Sequence, residues 1–228
     1  MKLIHFDEID STNAYIAREA DSLSNFSIVE ASYQTAGKGR ENRTWISPKD
    51  ENLMFSILIK DKKIIEEYKC LSIMMANIIR NLLTNLEIEN VTIKWPNDVY
   101  INDKKICGIL LQGQYPNYLI IGIGINVNQI EFSGEYKTSP TSIRLETGSM
   151  IDFDLFKADL YETLINELKF FEDAKEGLID EVREHNYLLN KETKYGKVVD
   201  IDDDFALVTE KDNKQVKIST GEVDLIGK

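Results

Sequence analysis

The sequence predicts an α+β fold: a mixed β-sheet packed with helices, followed by a small C-terminal β-barrel of SH3-like type. Three observations predict it. Two stretches repeat apolar residues in steps of three and four: Tyr68, Leu71, Met75, Ile78, Ile79, Leu82 and Leu83, then Leu155, Phe156, Leu160, Leu164, Ile165 and Leu168. Such steps put one apolar stripe on an α-helix. Two β-forming runs, within Asn52–Lys60 and Tyr118–Val127, read as strands covered on both faces. From Tyr195 onward the apolar period falls to two, in short segments parted by acidic and amide turns.

Composition bounds the rest. A chain of 228 residues, 43% hydrophobic and 29% charged, suits one sizeable domain with a small appendage. The net charge of −12 argues against a nucleic-acid backbone as partner, though it leaves room for a local basic pocket. Cys70 and Cys107 sit in apolar runs and read as reduced core residues, not as a disulfide framework. His5 and His185 are far apart, so no Cys/His metal cluster is expected. No leader-like apolar segment opens the chain, and no run approaches the ~18 apolar residues of a membrane span. A cytoplasmic protein without membrane or nucleic-acid partners is expected.

In order, residues 1–10 suggest a short strand with Ile4 and Phe6 on one face, and Asp10-Ser11-Thr12-Asn13 suggests a helix start capped by Ser11 or Asp10. Phe26–Tyr33 reads as a second strand. Gln34 through Trp45 then breaks all periodicity, with glycines at 37 and 39 and cations at Lys38, Arg40 and Arg43. That composition describes a mobile loop able to wrap an anion, although it lacks P-loop spacing and surface loops are often basic and Gly-rich. Val91-Thr92-Ile93 reads as a strand that must end near Pro96, leaving Asn97 and Asp98 at its tip. Asn102-Asp103 suits a tight turn, and Lys105–Leu111 leads back. By itself this hairpin needs only ordinary turn residues and solvated lysines.

Gly122 and Gly124 lie two apart and so share a face of the following strand, with Asn126 next in line. Bare glycine there admits a ligand, or equally a close-packed neighbour. Thr141-Ser142-Ile143 suggests a short strand, Asp154–Phe171 a helix and Leu178–Leu188 another. The terminal strands are expected at 197–201, 205–208, 216–218 and 223–226, with turns at Asp202–Asp204 and Asp212-Asn213. Domains are thus expected at 1–186 and 187–228.

Together, Ser11-Thr12-Asn13, Gly37-Lys38-Gly39-Arg40…Arg43-Thr44-Trp45, Lys94-Trp95-Pro96-Asn97-Asp98…Lys104-Lys105-Ile106-Cys107-Gly108-Ile109-Leu110 and Ile121–Asn126 resemble the biotin protein ligase family, biotin–[acetyl-CoA-carboxylase] ligase. The two long motifs are specific as a pair, and the resemblance covers essentially the whole chain. It implies the short form without an N-terminal DNA-binding domain. It also implies ATP-dependent formation of biotinyl-5′-AMP, then transfer of biotin to a lysine on the biotin carboxyl carrier domain of a carboxylase. The substrates and cofactors implied are biotin, ATP and Mg²⁺. No enzyme nucleophile is required, which suits a chain with no Ser/His or Cys/His constellation.

The resemblance also implies residue roles. Ser11, Thr12 and Gln34, with the Gly108 backbone, would hydrogen-bond the biotin ureido group, and Asn13 would also belong to the biotin site. Gly37, Lys38 and Arg40 would close over biotin and phosphate, and Lys105 would reach the biotin carboxylate. Arg43, Trp45, Lys94, Asn97, Gly122, Gly124 and Asn126 would serve the nucleotide. Lys105, Arg40 and Asp98 would be catalytic, with Asp98 either orienting the incoming lysine or helping to hold metal. No metal ligand is otherwise assigned. The family loop usually reads Gly-Arg-Gly-Arg-x-Gly-Arg, whereas Lys38 and Asn42 depart from it here. Lys38 keeps the charge without the bidentate fork, and Asn42 would supply a tolerant turn residue. The competing readings are a lipoate-type ligase and a non-catalytic biotin or nucleotide sensor. Family members occur as monomers or homodimers, and no stretch here decides between them.

Overall fold

The computed structural model describes residues 2–221, Val223 and Leu225, apart from the side chain of Asn42. The chain starts with β1 (Leu3–Phe6), crosses through α1 (Thr12–Glu19) and returns as β2 (Ile28–Ala31), parallel to β1. Next come β3 (Asn52–Ile59), α2 (Lys62–Glu66), α3 (Tyr68–Asn85), β4 (Val91–Lys94), β5 (Asp98–Ile101), β6 (Lys104–Gln114) and β7 (Tyr118–Asn126). These strands form one seven-stranded sheet in the order β1-β2-β3-β7-β6-β5-β4. Every pairing except β1 with β2 is antiparallel, so the sheet is mixed, as the sequence predicts.

Side chains of the central strands β3 and β7 alternate between two covered faces. On one, Leu53, Phe55, Ile57, Ile121, Ile123 and Ile125 belong to the main core with Leu71, Met74, Met75 and Ile79 of α3 and with Leu160, Leu164 and Leu168 of a later helix. Fully burying one such side chain is worth roughly 1.5–3 kcal/mol. On the other, Leu58 and Ile120 pack beneath Ile16 of α1, with Leu23 and Val29. Farther along this second face the register sets Ser56 opposite Gly122 and Met54 opposite Gly124, with Gly108 on the other side of Gly124. There the sheet carries little side-chain bulk, and the functional cavities lie over it.

The helical periods hold, with two exceptions: Tyr68 and Leu155 are 43% and 71% exposed, outside the buried stripes. Residues 141–143 do not form the expected strand. Ser142 instead caps α4 (Ile143–Thr147), its hydroxyl accepting from Leu145 N at 3.2 Å. α5 (Phe153–Lys169), α6 (Phe171–Lys175) and α7 (Leu178–Glu184) follow, the last ending earlier than the expected Leu188. At the other end of the chain, Ser11 sits at the N-cap of α1 but its side chain makes no capping bond. Asp10 accepts from Ser11 N at 2.8 Å instead.

β8 (Glu192–Thr193), β9 (Gly196–Ile201), β10 (Leu207–Lys211) and β11 (Lys214–Ile218) make a second, four-stranded antiparallel sheet. Among the described residues it is open, not the closed barrel that was expected. Of the strand expected at 223–226, Leu225 makes one bridge to Thr193, and Ile226 lies outside the described residues. Val198, Ile201, Leu207 and Val223 join the main core, and Trp95 Nε1 donates to Phe205 O at 2.8 Å. Among the described residues no helix is long and apolar enough to cross a membrane.

Candidate active site

Two cavities lie over the glycine-bearing face, with Trp45 on the lining of both. The larger, about 370 Å³, is bounded by Arg40, Arg43, Trp45, Lys94, Asn97, Asp98, Lys105 and Asn126, together with the 132–140 segment and Val223. The smaller, about 30 Å³, is bounded by Ser11, Thr12, Asn13, Gln34, Lys38, Gly108, Gly122 and Gly124. Trp45 separates them because the floor is cut away for its ring. A Cβ on Gly124 would lie 2.5 Å from Trp45 Cε2, and one on Gly108 would lie 3.0 Å from Cζ3. The Trp45 indole N–H is buried without a hydrogen-bond partner.

The cationic end is built by the β5–β6 hairpin. Pro96 ends β4, and the Trp95–Asn97 turn delivers Asp98 to the start of β5, opposite Gly108 in register. Lys105, one residue into β6, points its ammonium to Asp98 Oδ1 at 2.8 Å and lies 5.8 Å from the Trp45 ring centroid. The 139–141 segment anchors the Lys105 backbone, which donates to Ser139 O and accepts from Thr141 N, each at 2.9 Å. Lys94 sits 5.3 Å from the Tyr100 ring centroid and donates to its hydroxyl at 3.3 Å. Lys104 is not simply solvated: it lies 3.7 Å from Glu146.

Arg40 reaches this end from the 37–45 segment. Instead of an irregular loop, that segment is a hairpin closed by bridge pairing of Lys38 with Thr44 and by Trp45 N donating to Gly37 O at 3.1 Å. Gly37 allows the closure, since a Cβ there would lie 2.5 Å from Trp45 O. The residue with positive φ at the tip is Glu41, at 52°, rather than Asn42, and Glu41 pairs with Arg43 at 3.6 Å. Arg40 Nη1 donates to Asn97 Oδ1 at 2.8 Å, and Nη2 donates to Gly221 O at 3.2 Å. Burial pulls the Arg40 guanidinium below its ordinary pKa, while the Asp98 charge opposes that shift. Asn97 is committed on both sides, because its Nδ2 donates to Ile109 O at 2.8 Å. Asn126 likewise donates to Thr141 O at 2.9 Å.

The polar end lies at the start of α1. Backbone pairing of Ile9 with Gln34 brings the Gln34 amide to the helix, where Oε1 accepts from Thr12 N at 2.8 Å and lies 3.1 Å from Thr12 Oγ1. Thr12 Oγ1 also contacts Ser56 Oγ at 2.7 Å, and Asn13 bonds Ser56 and Gln112. The Asn13 amide fills the notch at Gly122, where a Cβ would come within 2.3 Å of its Oδ1.

Every predicted site residue except Gly37 lines one of these two cavities; Gly37 lies behind them, against Trp45 O and Gln34. Gly122 lies beneath Asn13 at the polar end, and Gly124 lies beneath Trp45. Sequence reasoning missed Ser56, Gln112, Phe132, Tyr136, Gly221 and Val223. A lone serine in the otherwise apolar run Leu53–Ile59 was the available signal for Ser56. Among the described residues no group of three or more His, Cys, Asp or Glu side chains is arranged to hold a metal, and Asp98 already faces Lys105.

The family model described as "Biotin/lipoate A/B protein ligase family" matches residues 5–128, and "Biotin protein ligase C terminal domain" matches residues 186–226. The chain is 30% identical to "Bifunctional ligase/repressor BirA" of Bacillus subtilis, in a match covering 98% of this chain and 74% of that protein. It is 32% identical to the Escherichia coli protein of the same name over 174 residues, 75% of this chain. The match spans about half the length of that relative, 54%. Among solved structures, "Biotin protein ligase from Aquifex aeolicus in complex with biotin and ATP" superposes with a TM-score of 0.82 at 28% identity, covering 98% of both chains.

Proposed function

Because this chain belongs to the biotin/lipoate A/B protein ligase family, we propose that it is a cytoplasmic biotin–protein ligase that joins biotin to a carrier-domain lysine of a biotin-dependent carboxylase at the expense of ATP. One observation carries the reading: a closed polar end faces a cationic end across a glycine floor. A molecule with a compact hydrogen-bonding head and a carboxylate tail suits that layout. Residues 1–186 would be the catalytic domain, and 187–228 a small SH3-like β domain contributing Val223 to the cavity wall.

In the first half-reaction the biotin carboxylate attacks the α-phosphorus of ATP, pyrophosphate leaves and biotinyl-5′-AMP forms. Negative charge builds on the phosphate oxygens, where preorganised cations are most effective. Lys105 would lie at the carboxylate and the new acyl-phosphate bridge. Arg40, held by Asn97, would lie at the phosphates with Arg43, Lys94 and Lys38. Mg²⁺ would travel on the triphosphate oxygens, its usual ligands, since the larger cavity is lined by the carboxylates of Asp98 and Glu135, too few for a metal cluster, and Asp98 already pairs with Lys105. In the second half-reaction the carrier lysine amine attacks the acyl carbon and AMP leaves. Asp98 would orient the incoming amine and take up its proton as the Lys105 contact relaxes.

At the other end, Ser11, Thr12 and Gln34 would read the ureido head, with the Asn13 amide beneath them bonded to Ser56 and Gln112. A buried partner left unpaired by the wrong acid costs roughly 1–3 kcal/mol. The test is ATP–pyrophosphate exchange with biotin, lipoate or no acid. Exchange only with biotin is expected. Exchange with lipoate alone would transfer the reading to lipoate ligation, and exchange with neither acid would favour a sensor.

A further inference from the structure

Thr12 Oγ1 has one proton and two acceptors within reach: Ser56 Oγ at 2.7 Å and Gln34 Oε1 at 3.1 Å. The choice is made on the far side of Ser56. Ser56 donates its own proton to Asn13 Oδ1 at 2.5 Å, and Asn13 Nδ2 donates to Gln112 Oε1 at 2.8 Å. With the Ser56 proton committed, the short Thr12 contact is made by Thr12 donating to Ser56. Gln34 Oε1 keeps the Thr12 backbone N–H at 2.8 Å. What remains for a ligand is a lone-pair acceptor at Thr12 Oγ1 and an N–H donor at Gln34 Nε2, two residues that line the same small cavity.

We infer that Gln112, Asn13 and Ser56 form a relay that sets the hydrogen-bond polarity of this end: acceptor at Thr12, donor at Gln34. A cyclic urea offers the complement, a carbonyl oxygen beside a ring N–H. The inference rests on the biotin reading above and adds Ser56 and Gln112 to it as positioning residues. The fold makes room for the relay. Ser56 is wholly buried and lies opposite Gly122 in register, and the missing Cβ of Gly122 is what admits the Asn13 amide. At the exposed end the Gln112 amide supports this sense by presenting its oxygen to Asn13 Nδ2. A reversed relay, with the Asn13 amide turned, would have Ser56 donate to Thr12 and Thr12 donate to Gln34 Oε1. Thr12 would then have one lone pair fewer to offer.

Gln112 is exposed and outside the lining of both cavities, so it can be changed without disturbing the core. Gln112→Glu keeps an acceptor for Asn13 Nδ2. Gln112→Lys presents donors only and turns the Asn13 amide. Gln114→Lys, on the same strand and also exposed, controls for added charge. The readouts are the biotin Kd by titration calorimetry, and KM and kcat for biotin in pyrophosphate exchange. Gln112→Glu and Gln114→Lys are expected within about twofold of wild type. Gln112→Lys and Ser56→Ala are expected to raise Kd and KM about tenfold, with kcat changed by less than about threefold. Unchanged biotin affinity in Gln112→Lys and Ser56→Ala, or an equal loss in Gln112→Glu, would overturn the relay while the ligase reading stands. A wild-type protein that binds no biotin would overturn the functional reading and the relay with it.

Discussion

The Lys105 ammonium lies 2.8 Å from Asp98 Oδ1, across the hairpin that joins β5 to β6, with side chains 28% and 17% exposed. The partial burial makes this contact stronger than a surface pair and keeps the long Lys105 side chain in one place beside Trp45 and Gly108. In the proposed reaction a substrate carboxylate arriving at Lys105 would compete with Asp98 for the same cation, so the pair would hold Lys105 ready and loosen when the acid binds.

Asn97 presents Arg40. Its Oδ1 accepts from Arg40 Nη1 at 2.8 Å while its Nδ2 is tied to Ile109 O, so the amide cannot turn without losing both bonds. A hydrogen bond to a charged group is worth roughly 1.5–3 kcal/mol. Asn97→Ala is expected to lower kcat/KM for pyrophosphate exchange about 10- to 100-fold, with the far-UV circular dichroism spectrum unchanged.

Trp45 occupies the floor between the two cavities, so an acid that spans both must displace its ring. The other tryptophan, Trp95, is 3% exposed with its N–H held by Phe205 O. Trp95 borders only the larger cavity whereas Trp45 borders both, so biotin is expected to change the intrinsic fluorescence chiefly through Trp45. Titrations of Trp45→Phe and Trp95→Phe check this: the first should remove most of the change and the second should retain most of it.

Both cysteines are structural. Burial pushes the Cys70 thiol up to about 12 and raises the Cys107 thiol as well, so neither yields thiolate near neutral pH. Iodoacetamide at pH 8 is expected to leave both unmodified in the folded protein and to modify both in urea, as read by mass spectrometry. Exchange activity should survive the native treatment.

Asp10, which leads into the Ser11-Thr12-Asn13 stretch, is held at about 2, chiefly by its hydrogen bond from Arg18 and then by Ser11 N. An unfolded aspartate titrates near ~3.9. The unfolded chain therefore takes up the proton first, and this contribution to stability, present above pH ~4, is lost as pH falls toward 2. Because the pair is exposed, the effect is small. Arg18→Gln should raise the Asp10 pKa in a carbon-detected NMR titration and flatten the urea midpoint between pH 4 and 2.

Much of the candidate site's layout was legible because its residues sit in contiguous motifs. Lys105, Asp98 and Asn97 share one hairpin, and Gly122 and Gly124 share one face by simple alternation. The less legible parts depend on contacts between distant segments. Ser56 and Gln112 become meaningful only when β3, β6 and α1 meet at Asn13. The 37–45 hairpin is organised by the Trp45 ring settling on Gly108 and Gly124, which no local pattern encodes. Thr141-Ser142-Ile143 is too short for periodicity to separate a strand from a capped helix start. Period-two alternation at 197–218 is the same for an open sheet and a barrel, so it could not decide closure.

In the proposed reaction Lys105, beside Asp98 and Arg40, drives formation of the acyl-adenylate. The direct measurement is mass-spectrometric detection of biotinyl-5′-AMP in mixtures of enzyme, biotin, ATP and Mg²⁺ without carrier, comparing wild type with Lys105→Ala. Stoichiometric adenylate is expected from the wild type. Lys105→Ala should form it at least about 100-fold more slowly while melting within a few degrees of wild type. Adenylate formation at the wild-type rate in Lys105→Ala would remove Lys105 from that role.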